Sequence, residues 1–277
     1  MGRAIYVSSV NGDDANSGYA PEKAFRSLRK VNQMEIQPGD QILLERGSVF
    51  AGEYLHLYSG GTKEAPVVVD AYGEGALPRI EADGNGIWYQ NYGGHLDNVV
   101  HTWKGYLSSA VLLYDAEYIT VRNLEITNDP LVKNERMNQA DRMNRTGVSV
   151  IAQNHGTLHQ IELAYLYVHD VEGNIYDKHL NNGGIYMSVS RPDDEEKTGI
   201  ARYDGIHIHH CKVENCRRWG IAAGYTYQHD KFTTLELPDE VVKTYGSTNV
   251  VIEHNFVKDI GGDGITPMYC FEPLIQY

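Results

Sequence analysis

After residue 115 the apolar positions follow one template four times: apolar, x, apolar, x, x, small or apolar, x, apolar. It is read in ITVRNLEI (119–126), IELAYLYV (161–168), IHIHHCKV (206–213) and VVIEHNFV (250–257). Alternation at the start of each segment predicts a strand with one buried face. The two-residue step then acts as a bend that brings the next side chain back inward. Each segment is followed by a shorter one opening on glycine: GVSV (147–150), GIYM (184–187), GIAA (220–223) and GITP (264–267). Strands recurring in fixed order with no helix between them predict coils stacked into a solenoid.

The first strands begin at Ile119, Ile161, Ile206 and Val250, 42, 45 and 44 residues apart, and PLIQY aligns with VVIEH after only 23. A bare coil is thus about 23 residues, in the range of a parallel β-helix. The longer coils carry polar insertions at 129–145, 171–182, 190–204 and 226–247, and insertions in a solenoid fall on its loops, where function concentrates.

In the N-terminal third, PEKAFRSLRKVNQ places Phe25, Leu28 and Val31 at helical spacing, so a short helix is expected to cap the first coil. The turn NGDDANSG before it, with Asp13, Asp14 and Asn16, fits an Asx-turn better than a metal loop, because the closing Glu of a calcium loop is missing. DQILLE, YLHLY, APVVVDAY and PRIEA follow as strands. The expectation is one all-β domain over 1–277: a right-handed parallel β-helix, with the cap and first coils in 1–115 and the repeats in 116–277. The pattern stops inside a strand, so further coils, a second chain or a domain is expected to cover that end.

A net charge of −13, from 24 Lys and Arg against 37 Asp and Glu, argues against a nucleic-acid binder. No apolar run is long enough for a membrane helix. The three cysteines make no disulfide framework, and Cys211 occupies an inward slot of the template. MGRAIYVSS shows no secretory signal.

IYVSSVNGDDANSGYAPEKAFRSLRKV, followed by QPGDQILLERGSVFAG and GGTKEAPVVVDAYGEGALPRI, resembles the opening of bacterial right-handed parallel β-helix carbohydrate-active proteins. That group includes pectate-lyase-like polysaccharide lyases and several glycoside hydrolases. The resemblance implies a secreted or periplasmic protein with a poly- or oligosaccharide partner. It brings no catalytic motif, since one scaffold hosts many chemistries. Glycoside hydrolysis by a carboxylate pair is the first expectation, with no cofactor. Calcium-assisted β-elimination by a lyase and a non-catalytic glycan-binding β-helix are the alternatives.

Columns of equivalent positions sort the acids. Asn128, Asp170, Asn215 and Asp259 follow the first segments, a run of the two residue types that cap their own turns. Thr146, Gly183, Trp219 and Asp263 precede the second-strand glycines, and Arg145, Asn182, Arg218 and Gly262 precede those. Asp263 is the carboxylate here without a duty in the repeat. Its expected catalytic partner is Asp177 in NIYDKHLNNGG, with Glu214 as a second candidate. Trp219, Arg218, Tyr225, His229 and Arg145 are expected to bind substrate, the tryptophan by stacking, with Tyr227 and Asp230 beside them. Lys133, Arg136 and Arg142 join Arg145 as possible partners of a uronate. His207 and His209 share a strand face, but no acidic or cysteine ligand neighbours them in the sequence, so no metal site is expected.

Overall fold

The computed structural model describes residues 2–94, 102–130, 143–177, 179–234 and 236–277. Its strands form three sheets, and each coil visits them in turn. The first sheet stacks Ala4–Val7, Gln41–Glu45, Val67–Tyr72, Ile119–Arg122, Thr157–Ala164, Arg202–His209, Thr248–Glu253 and Leu274–Gln276. The second runs from Val49–Ala51 through Arg79–Glu81, Glu125–Asn128, Tyr167–Val171 and Lys212–Cys216 to Phe256–Ile260. The third contains Leu55–Leu57, Lys104–Tyr114, Asn144–Ala152, Gly183–Val189, Trp219–Thr226 and Ile265–Pro267. Every pairing along these stacks is parallel, so the chain is a right-handed parallel β-helix.

The template therefore spans two sheets, and its x-x step is the corner between them. Asn123, Tyr165, His210 and His254 occupy that corner with φ of 58°, 52°, 53° and 53°. Left-handed residues turn the chain there without a loop. Inside, register aligns Ile5, Ile42, Val69, Val121, Leu163, Ile208, Ile252 and Ile275 in one aliphatic column. Cys211 is buried in its inward slot, while Asn255 bonds there to the preceding coil: its Oδ1 accepts from Cys211 N at 2.9 Å, and its Nδ2 donates to Ile208 O at 2.8 Å.

Three of the four Asn/Asp positions behave as turn chemistry: Asp170, Asn215 and Asp259 all have φ near +50°. Asn128 leaves the column, because a register shift sets it opposite Val171; buried there, it donates from Nδ2 to Thr146 O at 2.9 Å while its Oδ1 accepts from Gly84 N at 3.0 Å. The glycine column has a packing cause. A Cβ on Gly147 would lie 2.4 Å from Val168 Cγ1, and one on Gly184 the same distance from Val213 Cγ1.

The cap is shorter than its spacing suggests. Only Leu28–Asn32 is α-helical, and Phe25 forms a bridge to Val7 instead. Asp14 takes the amides of Arg26 and Ser27 on Oδ1, each at 2.9 Å, which draws that stretch into the Asx-type turn and away from the helix. A second departure is the strand Ile87–Asn91, which pairs antiparallel with Lys104–Tyr114. No helix among the described residues is long and apolar enough to cross a membrane.

Candidate functional site

The third sheet differs from the other two in being buried on both faces. Gly183–Val189 and Trp219–Thr226 are buried at every position. Ile185, Met187, Ile221 and Ala223 face the helix interior. Tyr186, Trp219, Ala222 and Tyr225 face outward into a second apolar cluster with Trp88, Tyr92, Leu107, Leu112, Ile151 and Leu180. The antiparallel strand and the 171–182 insertion roof this outer face. Tyr92 Oη donates to His179 O at 2.5 Å and Tyr186 Oη to the same carbonyl at 3.2 Å. Gln90 and Asn181 bond twice, at 2.9 and 3.1 Å. Burial and the charge of nearby Asp177 push both phenols above their ordinary pKa, so they remain donors. Beneath, Trp88 Nε1 donates at 2.8 Å to Ser109 Oγ, which meets Thr146 Oγ1 at 2.7 Å and Ser149 Oγ at 2.8 Å.

At the edge of this roof lie the predicted polar residues. Asp177 is half-buried: Asn144 Nδ2 donates to its Oδ2 at 2.9 Å and His179 N to its Oδ1 at 3.1 Å. Donors aimed at both oxygens favour the ionised carboxylate. Asp263 is exposed, and its carbonyl accepts from Gly220 N at 3.0 Å, which places it beside Trp219 on the preceding coil. The turn leading into Asp263 closes on the insertion that carries Asp177. A Cβ on Gly261 would stand 3.3 Å from Ile175 Cδ1, and one on Gly262 3.3 Å from Arg218 Nη1. Arg145 ties the same edge, donating from Nη1 to Glu172 O at 3.0 Å.

Trp219 is buried, 5% exposed, and the Arg218 guanidinium covers its ring at 4.5 Å. Stacking a sugar on this ring therefore requires Arg218 to move aside. Among the described residues, Arg218 Nε and Trp219 Nε1 are buried donors with no acceptor. Two orphan donors side by side are costly unless something else takes their hydrogen bonds. Tyr225 is buried beneath the roof, 5.0 Å from the His179 ring and 5.5 Å from Tyr269. His229 opens the 3-10 turn His229–Phe232, whose Phe232 packs on Tyr269 at 4.8 Å. Tyr227 is turned away to Glu195, at 2.8 Å. Glu214 sits on the second sheet, held by Tyr167 Oη and by Lys212 Nζ. Lys133, Arg136 and Arg142 lie outside the described residues.

The aromatic roof was not anticipated, although a signal for it exists. LSSAVLLY, GVSVIA, GIYMSV and GIAAGYT are continuous apolar and small runs without alternation, the mark of strands covered on both faces.

Fold and site together define a parallel β-helix whose third sheet is built over by insertions into an aromatic, carboxylate-edged wall. No family model matches the chain. It is 39% identical over 312 residues to a lacto-N-biosidase of Bifidobacterium longum subsp. longum, an alignment that takes in all of this chain and 19% of that protein. The crystal structure of a GH136 lacto-N-biosidase from Eubacterium ramulus, as its selenomethionine derivative, is 55% identical. It superposes with a TM-score of 0.96 over 99% of this chain and 44% of that one. The native form gives 0.94 over 97% and 43%. The chain thus spans less than half the length of each of these relatives.

Proposed function

We propose that the chain is the β-helical part of a glycoside hydrolase of lacto-N-biosidase type, acting on an oligosaccharide. The observation that carries this is the 55% identity, maintained over nearly the whole chain, to the Eubacterium ramulus enzyme. In this reading the edge of the third sheet binds the sugar. Asp177, held as a carboxylate by Asn144 and His179 N, acts as nucleophile or base. Asp263, two coils further on, donates a proton to the departing oxygen. The orphan donors of Arg218 and Trp219 take sugar oxygens, and Arg145 braces the insertions that frame the edge. Tyr225 and His229 line the deeper wall. We also place the enzyme outside the cytoplasm, as the resemblance to exported β-helix proteins suggests.

The test is hydrolysis of a nitrophenyl lacto-N-bioside, and of the corresponding oligosaccharide, by the full-length protein. Release of the intact disaccharide is the expected result, with Asp177→Asn and Asp263→Asn each lowering kcat by about a thousandfold, comparable to loss of an acid–base group together with positioning. Full activity in either variant removes that residue from the pair. An unsaturated product from a polyuronate, without hydrolysis of the bioside, would replace the hydrolase by a lyase. Glycan binding without turnover would leave a binding module.

A further inference from the structure

A separate cluster lies on the outer face of the first sheet. His207 and His209 alternate along Arg202–His209, so both rings leave the same face, with centroids 4.1 Å apart. The sequence offers them no acidic neighbour, but the coil before does. Glu162 pairs with His207 and Ala164 with His209. The small alanine leaves room for the Glu162 carboxylate to lean diagonally, and its Oε1 stands 3.0 Å from His209 Nε2. The ligand atoms of Glu162, His207 and His209 all lie within 4.8 Å of one another.

We propose that these three residues form a binding site for a divalent transition metal ion of the zinc type. Two imidazoles and a carboxylate suit zinc, copper or nickel better than calcium or magnesium. Around a tetrahedral ion with bonds of 2.0–2.1 Å, donors stand about 3.3 Å apart. The Glu162–His209 pair is already near that spacing, and rotation of the His207 side chain completes the set. Glu162 has an outer partner that would orient it as a ligand, and the far nitrogen of His209 rests against a neighbouring ring. Thr120 Oγ1 donates to Glu162 Oε2 at 2.8 Å and His209 Nδ1 meets His210 Nδ1 at 2.9 Å, while His207 Nε2 meets Glu253 Oε1 at 2.9 Å, a contact that its rotation would exchange for the ion. An open groove lined by Thr120, Glu162 and His207 borders the cluster and gives an ion access from solvent. Because the cluster sits on a different sheet from the carboxylate-edged wall, the ion would tie two successive coils together and take no part in the chemistry there.

The experiment is titration of the untagged protein with Zn²⁺ by calorimetry and with Co²⁺ by visible absorption. One equivalent is expected, with a rise in Tm on adding Zn²⁺. His207→Ala and His209→Ala should each weaken binding at least tenfold and abolish the rise. Glu162→Gln, which preserves shape, gives the same readout should either alanine variant fold poorly. His155→Ala, outside the cluster, should bind as the parent does. Absence of saturable binding at micromolar Zn²⁺, or one equivalent that survives the double His207→Ala, His209→Ala change, overturns the assignment.

Discussion

Gly183→Ala probes how closely successive coils approach beneath the candidate site. Gly183 has φ +120°, and a Cβ there would stand 2.2 Å from Trp219 O and 2.8 Å from Trp219 N. Holding an L-residue in that backbone region costs roughly 1–3 kcal/mol. Relieving the overlap costs another 1–3 kcal/mol, about what overpacking a closed site does. The expected total is about 4 kcal/mol, or about 8–16 °C in Tm for a domain of this size. Gly47→Ala is the matched control: its φ is +83°, nothing lies within 4 Å of the new Cβ, and it should cost only about 1–2 kcal/mol. Thermal scans measure both, with urea unfolding alongside to show by an unchanged m-value that the transition stays cooperative, as repeat folds do not always do. Relief of the overlap also displaces Trp219, so activity at 25 °C should fall further than the folded fraction does. Equal destabilisation by the two variants, within about 1 kcal/mol, would refute the close-approach argument.

Burial holds His56 down to a pKa of about 4, with its ring 2.9 Å from Ser109 O. Its folded value lies below the unfolded one, so the contribution is full above pH 6.5 and is lost as pH falls towards 4, a difference of about 3 kcal/mol. His56→Gln should flatten the Tm–pH curve over that window, and parallel curves would contradict the assignment. Cys211 and Cys216 are buried thiols pushed up to about 12 by burial, so an aromatic disulfide reagent at pH 8 should label neither until the protein is unfolded; rapid native labelling of either would sink this. Ile208→Ala, in the centre of the aliphatic column, should cost about 2–5 kcal/mol by urea unfolding. A loss under 1 kcal/mol would mean that the column can close around the gap.

The coil is legible in the sequence because one short rule is applied four times. Inward slots must be apolar or bond to the coil below, and corner residues must accept a left-handed backbone. The second-strand glycine must leave space for a valine. Each requirement is local, so each leaves a mark at a fixed offset, and Asp170, Asn215 and Asp259 could be set aside as turn residues on that ground alone, whereas the register shift that moves Asn128 out of their column leaves no such mark. The cap was overextended because helical spacing says nothing of Asp14, thirteen residues before Ser27, capturing the amides that a helix would need. The roof and the clustering of Glu162 with His207 and His209 were not read from the sequence for a common reason. Both are made by contacts one coil or more apart: Tyr92 reaching His179, Glu162 leaning on His209. A periodic template aligns such residues but does not say which side chains cross between columns.

That distinction bears on the candidate pair. Asp263 was singled out because the repeat left it unexplained, and Asp177 because an insertion next to the site carried it. The structure adds a physical difference between them: Asp177 is gripped by two donors under an aromatic roof, while Asp263 stands exposed at the mouth beside Arg218 and Trp219. A carboxylate fixed by donors is what a nucleophile or base requires, which leaves the proton donor's role to Asp263 in the proposed reading. If the roles divide in this way, Asn144→Ala, which frees Asp177 without touching Asp263, should lower kcat more than it raises KM. Tm should fall by only a few degrees, as expected for loss of one buried hydrogen bond of roughly 1 kcal/mol. A variant that loses binding but keeps kcat would instead make Asp177 a sugar ligand and leave Asp263 in need of another partner.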